Sequence, residues 1–225
     1  MYTSAVTASR SKRGTPWVRD SDRAYEKLRE MILDLRLSPG DVINEQALAA
    51  ELGLGRMPVH EAVARLATDR LATIMSRRGT VVTPIALKDV VDMFEAREAI
   101  ECGVAYIAAR RATDDDLAHL RKLVSIADAA REAAKAEEYL RGDQAFHAFL
   151  VHMIDNALLQ DAADRLLLHN LRFWRLYFST RPALHGSMLS HENLLLAISS
   201  HDSERATLAM REHIASSRGM LQSLF

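Results

Sequence analysis

The chain has 225 residues, 48% of them hydrophobic and only nine Gly and five Pro. That is enough apolar material for one large or two modest cores, with few helix breakers. A single cysteine, Cys102, excludes a disulfide framework, and no apolar run approaches the ~20 residues of a membrane span. The N-terminus lacks the apolar core of a signal peptide, so a cytoplasmic protein is expected. The 29 basic and 30 acidic residues nearly cancel overall. Residues 1–80, however, hold 13 Lys/Arg against 10 Asp/Glu and the remainder 16 against 20, which places any nucleic-acid contact in the first third.

Residues 1–20 are polar and aperiodic and read as a flexible arm. From Asp22, residues Tyr25, Leu28, Ile32 and Leu35 recur at helical spacing until Pro39 and Gly40 end the pattern. "NEQALAAELGLG" predicts a short helix with Asn44 as its N-cap and Gly53 as its stop. "RMPVHEAVARLATD" follows as a second helix, with Pro58 in its first turn. "LATIMSRRGTVVTP" holds two short β-capable runs around "SRRG", a hairpin.

Beyond Pro84 every segment reads as helix: 87–112, then 114–136 opened by a capping box of Thr113 and Asp116. "RGDQAFHAFLVHMI" (141–154) and 156–178 come next, then a loop over 179–187 and two last helices over 188–202 and 203–224. The pattern predicts a mainly α chain. A winged helix-turn-helix with a small β-hairpin wing spans 21–84, and an all-α antiparallel bundle of six helices spans 88–225.

Helix, short helix, tight turn, helix and hairpin is an order suited to reading DNA. Leu48, Leu52, Leu54, Val59, Val63 and Leu66 can share one apolar seam, which leaves Arg56, Met57, His60 and Glu61 projecting from the start of the second helix. A recognition helix presents such N-terminal residues to base edges, and Arg is the commonest donor to guanine. Arg77, Arg78 and Gly79 form the wing tip, where a phosphate or minor-groove contact is expected.

Residues 22–83, above all "LGLGRMPVHEAVARLATDRL…RRGTVV", resemble the GntR-family signature, in which a Ser-Arg-Thr-Pro-Val-Arg-Glu-Ala run starts the recognition helix. Two departures stand out: Gly55 replaces the usual Ser/Thr, and His60 stands where the family has a DNA-contacting Arg. A neutral imidazole offers one donor where Arg offers a fork, so the departure bears on which operator is read.

In the bundle, Asp143 and His147 lie four residues apart on a helix that is otherwise apolar, so they can grip one object between them. His152 points away. His191 and His213 sit beside the apolar stripes of later helices. One carboxylate and three imidazoles suit Zn²⁺, Ni²⁺, Fe²⁺ or Mn²⁺; the other reading is a set of hydrogen-bonded structural residues. Residues 88–222, through "AREAIE", "DQAFH", "DNALL", "SHENLLLAI" and "AMREHI", resemble the FCD effector domain of FadR-like GntR regulators, in the short VanR-type form.

The resemblance implies a divalent metal, zinc first, on Asp143, His147, His191 and His213, and a small carboxylic acid that completes its shell. Arg97 is then a candidate second anchor for that acid, its alternative being an intrahelical pair with Glu101 that is worth little at the surface. Arg172, Trp174 and Tyr177 are candidates to line the same cavity or are plain core. The expectation is a homodimeric repressor, released from near-palindromic operator DNA by the acid. Two further readings use the same ligands, a metal-dependent enzyme and a regulator that senses the ion itself; a regulator without metal is the fourth.

Overall fold

The computed structural model describes residues 19–181 and 188–221. The proposed arm lies almost wholly outside them, as does most of the 179–187 loop. The first unit runs α1 (Asp20–Leu33), α2 (Glu45–Leu52), α3 (Arg56–Thr68), β1 (Ala72–Met75) and β2 (Gly79–Val82). Its core is the expected seam: Leu48, Val59, Val63 and Leu66 are buried together with Ala24, Leu28 and Ile32 of α1, while Leu52 and Leu54 pack at its edge. Asn44 Oδ1 accepts from the Ala47 amide and so caps α2. Gly53 ends that helix at φ 63°, a left-handed conformation that glycine adopts without a Cβ clash. The antiparallel wing pairs Ala72 with Val82 and Met75 with Gly79. A bridge from Val42 to Val81 adds a third short edge.

The second unit comprises α4 (Leu87–Arg111), α5 (Asp114–Glu132), α6 (Ala136–Met153), α7 (Ala157–Thr180), α8 (Glu192–Ser199) and α9 (Ser203–Gly219). Among the described residues these six helices share one core, in which Phe94, Ala105, Leu120, Phe146, Leu150 and Ile198 are all but sealed from solvent. Burying one such large side chain contributes about 1.5–3 kcal/mol. Thr113 and Asp116 form the expected capping box, each side chain meeting the other's backbone N–H.

Two expectations fail locally. The Ala-rich run 127–136 is not one helix: α5 stops at Glu132, and the chain turns through Ala134 at φ 53° before α6 begins. Helix propensity favours continuation there, but the turn lets α6 fold back against α5, where Gly142 lies so close that a Cβ would sit 3.0 Å from Ala127 Cα. Nor does a helix start at Met188. The chain is irregular to His191, and α8 starts only at Glu192.

Candidate metal centre and nucleic-acid interface

On α6, Asp143, Phe146, His147 and Leu150 share the buried stripe that spacings of three and four residues produce. The stretch before α8 is pinned from two sides. Tyr139 Oη donates to the Leu189 carbonyl at 3.0 Å, and Ser190 Oγ to Asp128 Oδ2 at 2.9 Å. This holds His191, just N-terminal to α8, against the Phe146 ring with a centroid distance of 4.6 Å. His213 reaches in from α9, its ring 4.6 Å from that of His191 and 5.3 Å from that of His147.

Each of Asp143, His147, His191 and His213 offers a ligand atom within 4.8 Å of the others. Asp143 Oδ1 lies 3.1 Å from His191 Nε2 and 3.8 Å from His147 Nε2. Donors around one ion with bonds of about 2.0–2.2 Å stand roughly 3–4 Å apart, so small side-chain adjustments suffice. The ring nitrogens of His147 and His191 are all buried without an aligned hydrogen-bond partner. Two of them do face a carboxylate oxygen, His147 Nδ1 that of Glu101 and His191 Nε2 that of Asp143, whereas His147 Nε2 and His191 Nδ1 have none within 3.5 Å among the described residues. Poorly satisfied nitrogens are costly in a plain core, and a cation would satisfy those that point at it.

The electrostatics agree. Burial alone would raise the Asp143 carboxyl, but the His191 contact and the charges of His147, His191 and His213 outweigh it and hold the group well below the usual carboxylate range. Burial pushes His191 down, and pushes His213 well down with help from its two neighbouring imidazoles. A carboxylate held ionised beside the His191 and His213 imidazoles, which burial disfavours in the charged form, suits a divalent cation.

Behind this cluster lies a second layer. His147 Nδ1 sits 2.7 Å from Glu101 Oε2. Arg97 Nε donates to Glu101 Oε1 at 2.6 Å and Arg97 Nη1 to Asn170 Oδ1 at 3.0 Å, and that oxygen also accepts from Trp174 Nε1 at 3.1 Å. The Arg97–Glu101 pair is thus not a surface ornament, since both residues are 1% exposed. The pair fixes a carboxylate behind a candidate ligand, an arrangement that orients imidazoles at metal sites. Glu101 and Asn170 were missed as site residues. The signal for Glu101 was present: Phe94, Arg97, Glu101, Val104 and Ala108 lie on one helical stripe, and two opposite charges on an apolar stripe must face each other or something else buried.

The small space beside Asp143 is walled by Arg97, Tyr139 and Trp174. Arg172 is not there. It points to the joint between the two units, where it donates to the Thr83 carbonyl. Tyr177 is core, donating to the Met220 carbonyl at 3.0 Å. His152 lies at the surface beside Asp164, as its spacing predicts.

In the first unit Arg56 is exposed at the start of α3, and Met57 is 64% exposed. Gly55 gives that helix no side-chain cap, and no acid occupies its first turn, so its amides stay available to an anion. His60 leans away onto α2, with Nδ1 3.1 Å from Glu45 Oε2. Arg77 and Arg78 are exposed at the hairpin turn, where Arg77 takes φ 66° and Gly79 φ 77°.

A winged helix-turn-helix joined to a helical bundle with a buried cluster of one Asp and three His defines a class of DNA-binding regulator, and comparison with known proteins agrees. The chain belongs to the gntR family of bacterial regulatory proteins, whose model matches residues 20–82, and residues 92–216 match the FCD domain. It is 30% identical over 192 residues to an HTH-type transcriptional regulator from an unstable DNA locus of Streptomyces ambofaciens, covering 84% of this chain and 80% of that protein. It is 26% identical over 196 residues to the HTH-type transcriptional repressor RspR of Escherichia coli, covering 86% of this chain and 85% of the other. The fold matches that of E. coli McbR/YncC with a TM-score of 0.80 at 20% identity, over 92% of this chain and 99% of that one. The chain is therefore a transcription regulator rather than an enzyme, which removes the metal-dependent enzyme among the readings of the same donors. None of its described helices is long and apolar enough to cross a membrane.

Proposed function

We propose that this regulator is a homodimeric repressor, released from a near-palindromic operator when a small organic acid binds at a metal centre on Asp143, His147, His191 and His213. One observation carries the reading: one carboxylate and three imidazoles from α6, α9 and the lead-in to α8 converge with a ligand atom of each within 4.8 Å of the others. A divalent ion held there, zinc before nickel, iron or manganese, supplies positive charge and open coordination positions for a carboxylate. Glu101 holds His147 in register, and Arg97 with Asn170 holds Glu101. Arg97 and Trp174 wall the space in which the body of the acid sits. The description of RspR as a repressor supports the sign of regulation.

In the DNA-bound form Arg56 and Met57 meet base edges, His60 leaves Glu45 and turns its single donor to one position, and Arg77, Arg78 and the Gly79 turn rest on the backbone. The test begins with metal analysis of protein purified without added ions, as wild type and His147→Ala. Affinity for an operator selected from random duplexes is then measured with small carboxylic acids, before and after chelation. The reading expects bound metal in the wild type alone and an acid effect that chelation abolishes. Release by metal with no acid present would make the ion itself the signal, and an acid effect that survives chelation would sink the metal-centred account.

A further inference from the structure

A second cavity, of about 210 Å³, lies where the two units meet, and shares no lining residue with the space beside Asp143. Its polar lining includes Arg172, Thr83 and His169, and its apolar lining Ile85, Met93 and Phe173. Arg172 is 2% exposed, and its one acceptor among the described residues is the Thr83 carbonyl. Its Nε has no partner, and neither does the buried Thr83 Oγ1.

Two acids also line the cavity, and each accepts a hydrogen bond from its own helix or the helix's N-cap. Asp89 accepts from the Ala86 amide at 2.8 Å, and Asp92 from Lys88 Nζ at 2.6 Å. Among the described residues no carboxylate pairs with Arg172 or Arg70. Burial pushes the Arg172 guanidinium down to about 10, and Asp89 only partly offsets it. A buried guanidinium with no carboxylate in direct contact, its Nε unpartnered, is an expense that a bound anion relieves.

We infer that this joint is a second anion site, which takes a small monocarboxylate with a ring-sized apolar body, its carboxylate on Arg172 and Thr83. The apolar walls disfavour a second charge on the ligand. The volume fits as well, since an apolar cavity of about 150 Å³ holds benzene. Thr83 belongs to the link between β2 and α4, so an occupant there joins the exit of the wing to α7. The ligand site stands independently of the metal centre; only its effect on DNA rests on the regulator reading.

The test is calorimetric titration of benzoate into the full chain after chelation. Saturable binding is expected, weakened about tenfold or more by Arg172→Gln, which removes a charge-assisted pair. Thr83→Val should also weaken it, His147→Ala should leave it unchanged, and benzamide, which has the shape without the charge, should not bind. Should Arg172→Gln fail to fold by circular dichroism, Arg172→Lys, which loses the fork but keeps the charge, still predicts weaker binding. Absence of saturable binding, equal binding of benzamide, indifference to the Arg172 and Thr83 changes, or loss of binding in His147→Ala each overturns the inference.

Discussion

Replacing Glu101 by Gln probes the second layer of the centre. The carboxylate receives Arg97 Nε at 2.6 Å and Nη2 at 3.4 Å on one side, and faces His147 Nδ1 at 2.7 Å on the other. Glutamine keeps the shape and one acceptor oxygen but removes the charge. The guanidinium, 1% exposed, is then left with neutral partners alone. Removing one member of a buried ion pair costs about 3–5 kcal/mol, and the retained acceptor puts the expected loss near the lower end, about 3 kcal/mol. Losing the carboxylate that orients a ligating imidazole lowers metal affinity about 10- to 100-fold.

The two effects separate in the variant Arg97→Met with Glu101→Leu. Exchanging both charges for apolar groups of similar volume returns stability toward wild type, because no charge is stranded, whereas His147 still lacks its carboxylate and zinc affinity stays low. Urea unfolding of chelated protein measures the first quantity, and competition with a chromophoric chelator the second. A Glu101→Gln protein within about 0.5 kcal/mol of wild type, the ordinary range of a surface change, would refute the stability argument. Wild-type zinc affinity in the double variant would refute the orienting role.

Three further outcomes are expected. Gly142→Ala should lower the urea midpoint, because a Cβ 3.0 Å from Ala127 Cα overpacks the α5–α6 contact at about 1–3 kcal/mol and outweighs a helix-propensity gain of about 0.5–1 kcal/mol. Arg77→Ala should flatten the logarithmic salt dependence of DNA binding by about one unit, while Arg121→Ala, at an exposed position on α5, leaves it unchanged. Burial depresses His169, aided by the charges of Arg172 and Arg70 and opposed by its 2.9 Å contact with the Asp69 carbonyl. The folded chain therefore binds fewer protons at this position than the unfolded chain just below the ordinary value of about 6.5, and the contribution of His169 to stability is lost as pH falls through that region. The melting midpoint of His169→Gln should consequently fall less between pH 7.5 and 5.5 than that of wild type.

Local chemistry made most of the fold legible. Asn44, Gly53, Thr113 and the turn at Gly79 are punctuation whose meaning depends on the few residues around them, and each does in the structure what its type and position predict. The Ala134 turn carries no such mark: a non-glycine residue takes a left-handed conformation because α6 must return along α5, a tertiary demand that propensity over 127–136 contradicts. At the site, spacing brought out Asp143 and His147, since residues four apart on a helix meet. That His191 and His213 close on them depends on how α8 and α9 cross α6, which no local pattern encodes. Arg172 shows the opposite failure. It belongs to the same aromatic run as Trp174, but two residues along a helix are about 200° of rotation apart, and the two side chains serve different cavities.

That rotation bears on how the two halves of a regulator communicate. One side of α7 places Asn170 and Trp174 in the chain of contacts that runs through Arg97 and Glu101 to His147. The other meets the DNA-reading unit: Leu168 packs on its core, His169 reaches the Asp69 carbonyl, Arg172 the Thr83 carbonyl, and Arg175 spans Asp34 at 2.9 Å and Glu137 at 2.6 Å. A shared helix does not by itself couple two sites; coupling requires two arrangements that a ligand distinguishes by affinity. α7 narrows what those arrangements can be. Any shift of His147 that draws Glu101 and Asn170 after it acts on the helix against which the wing unit rests, so movement at the centre and movement of the wing are constrained together. Binding equilibria are reciprocal, so an acid that weakens operator affinity through this helix must itself be bound more weakly, by the same factor, when operator DNA is present.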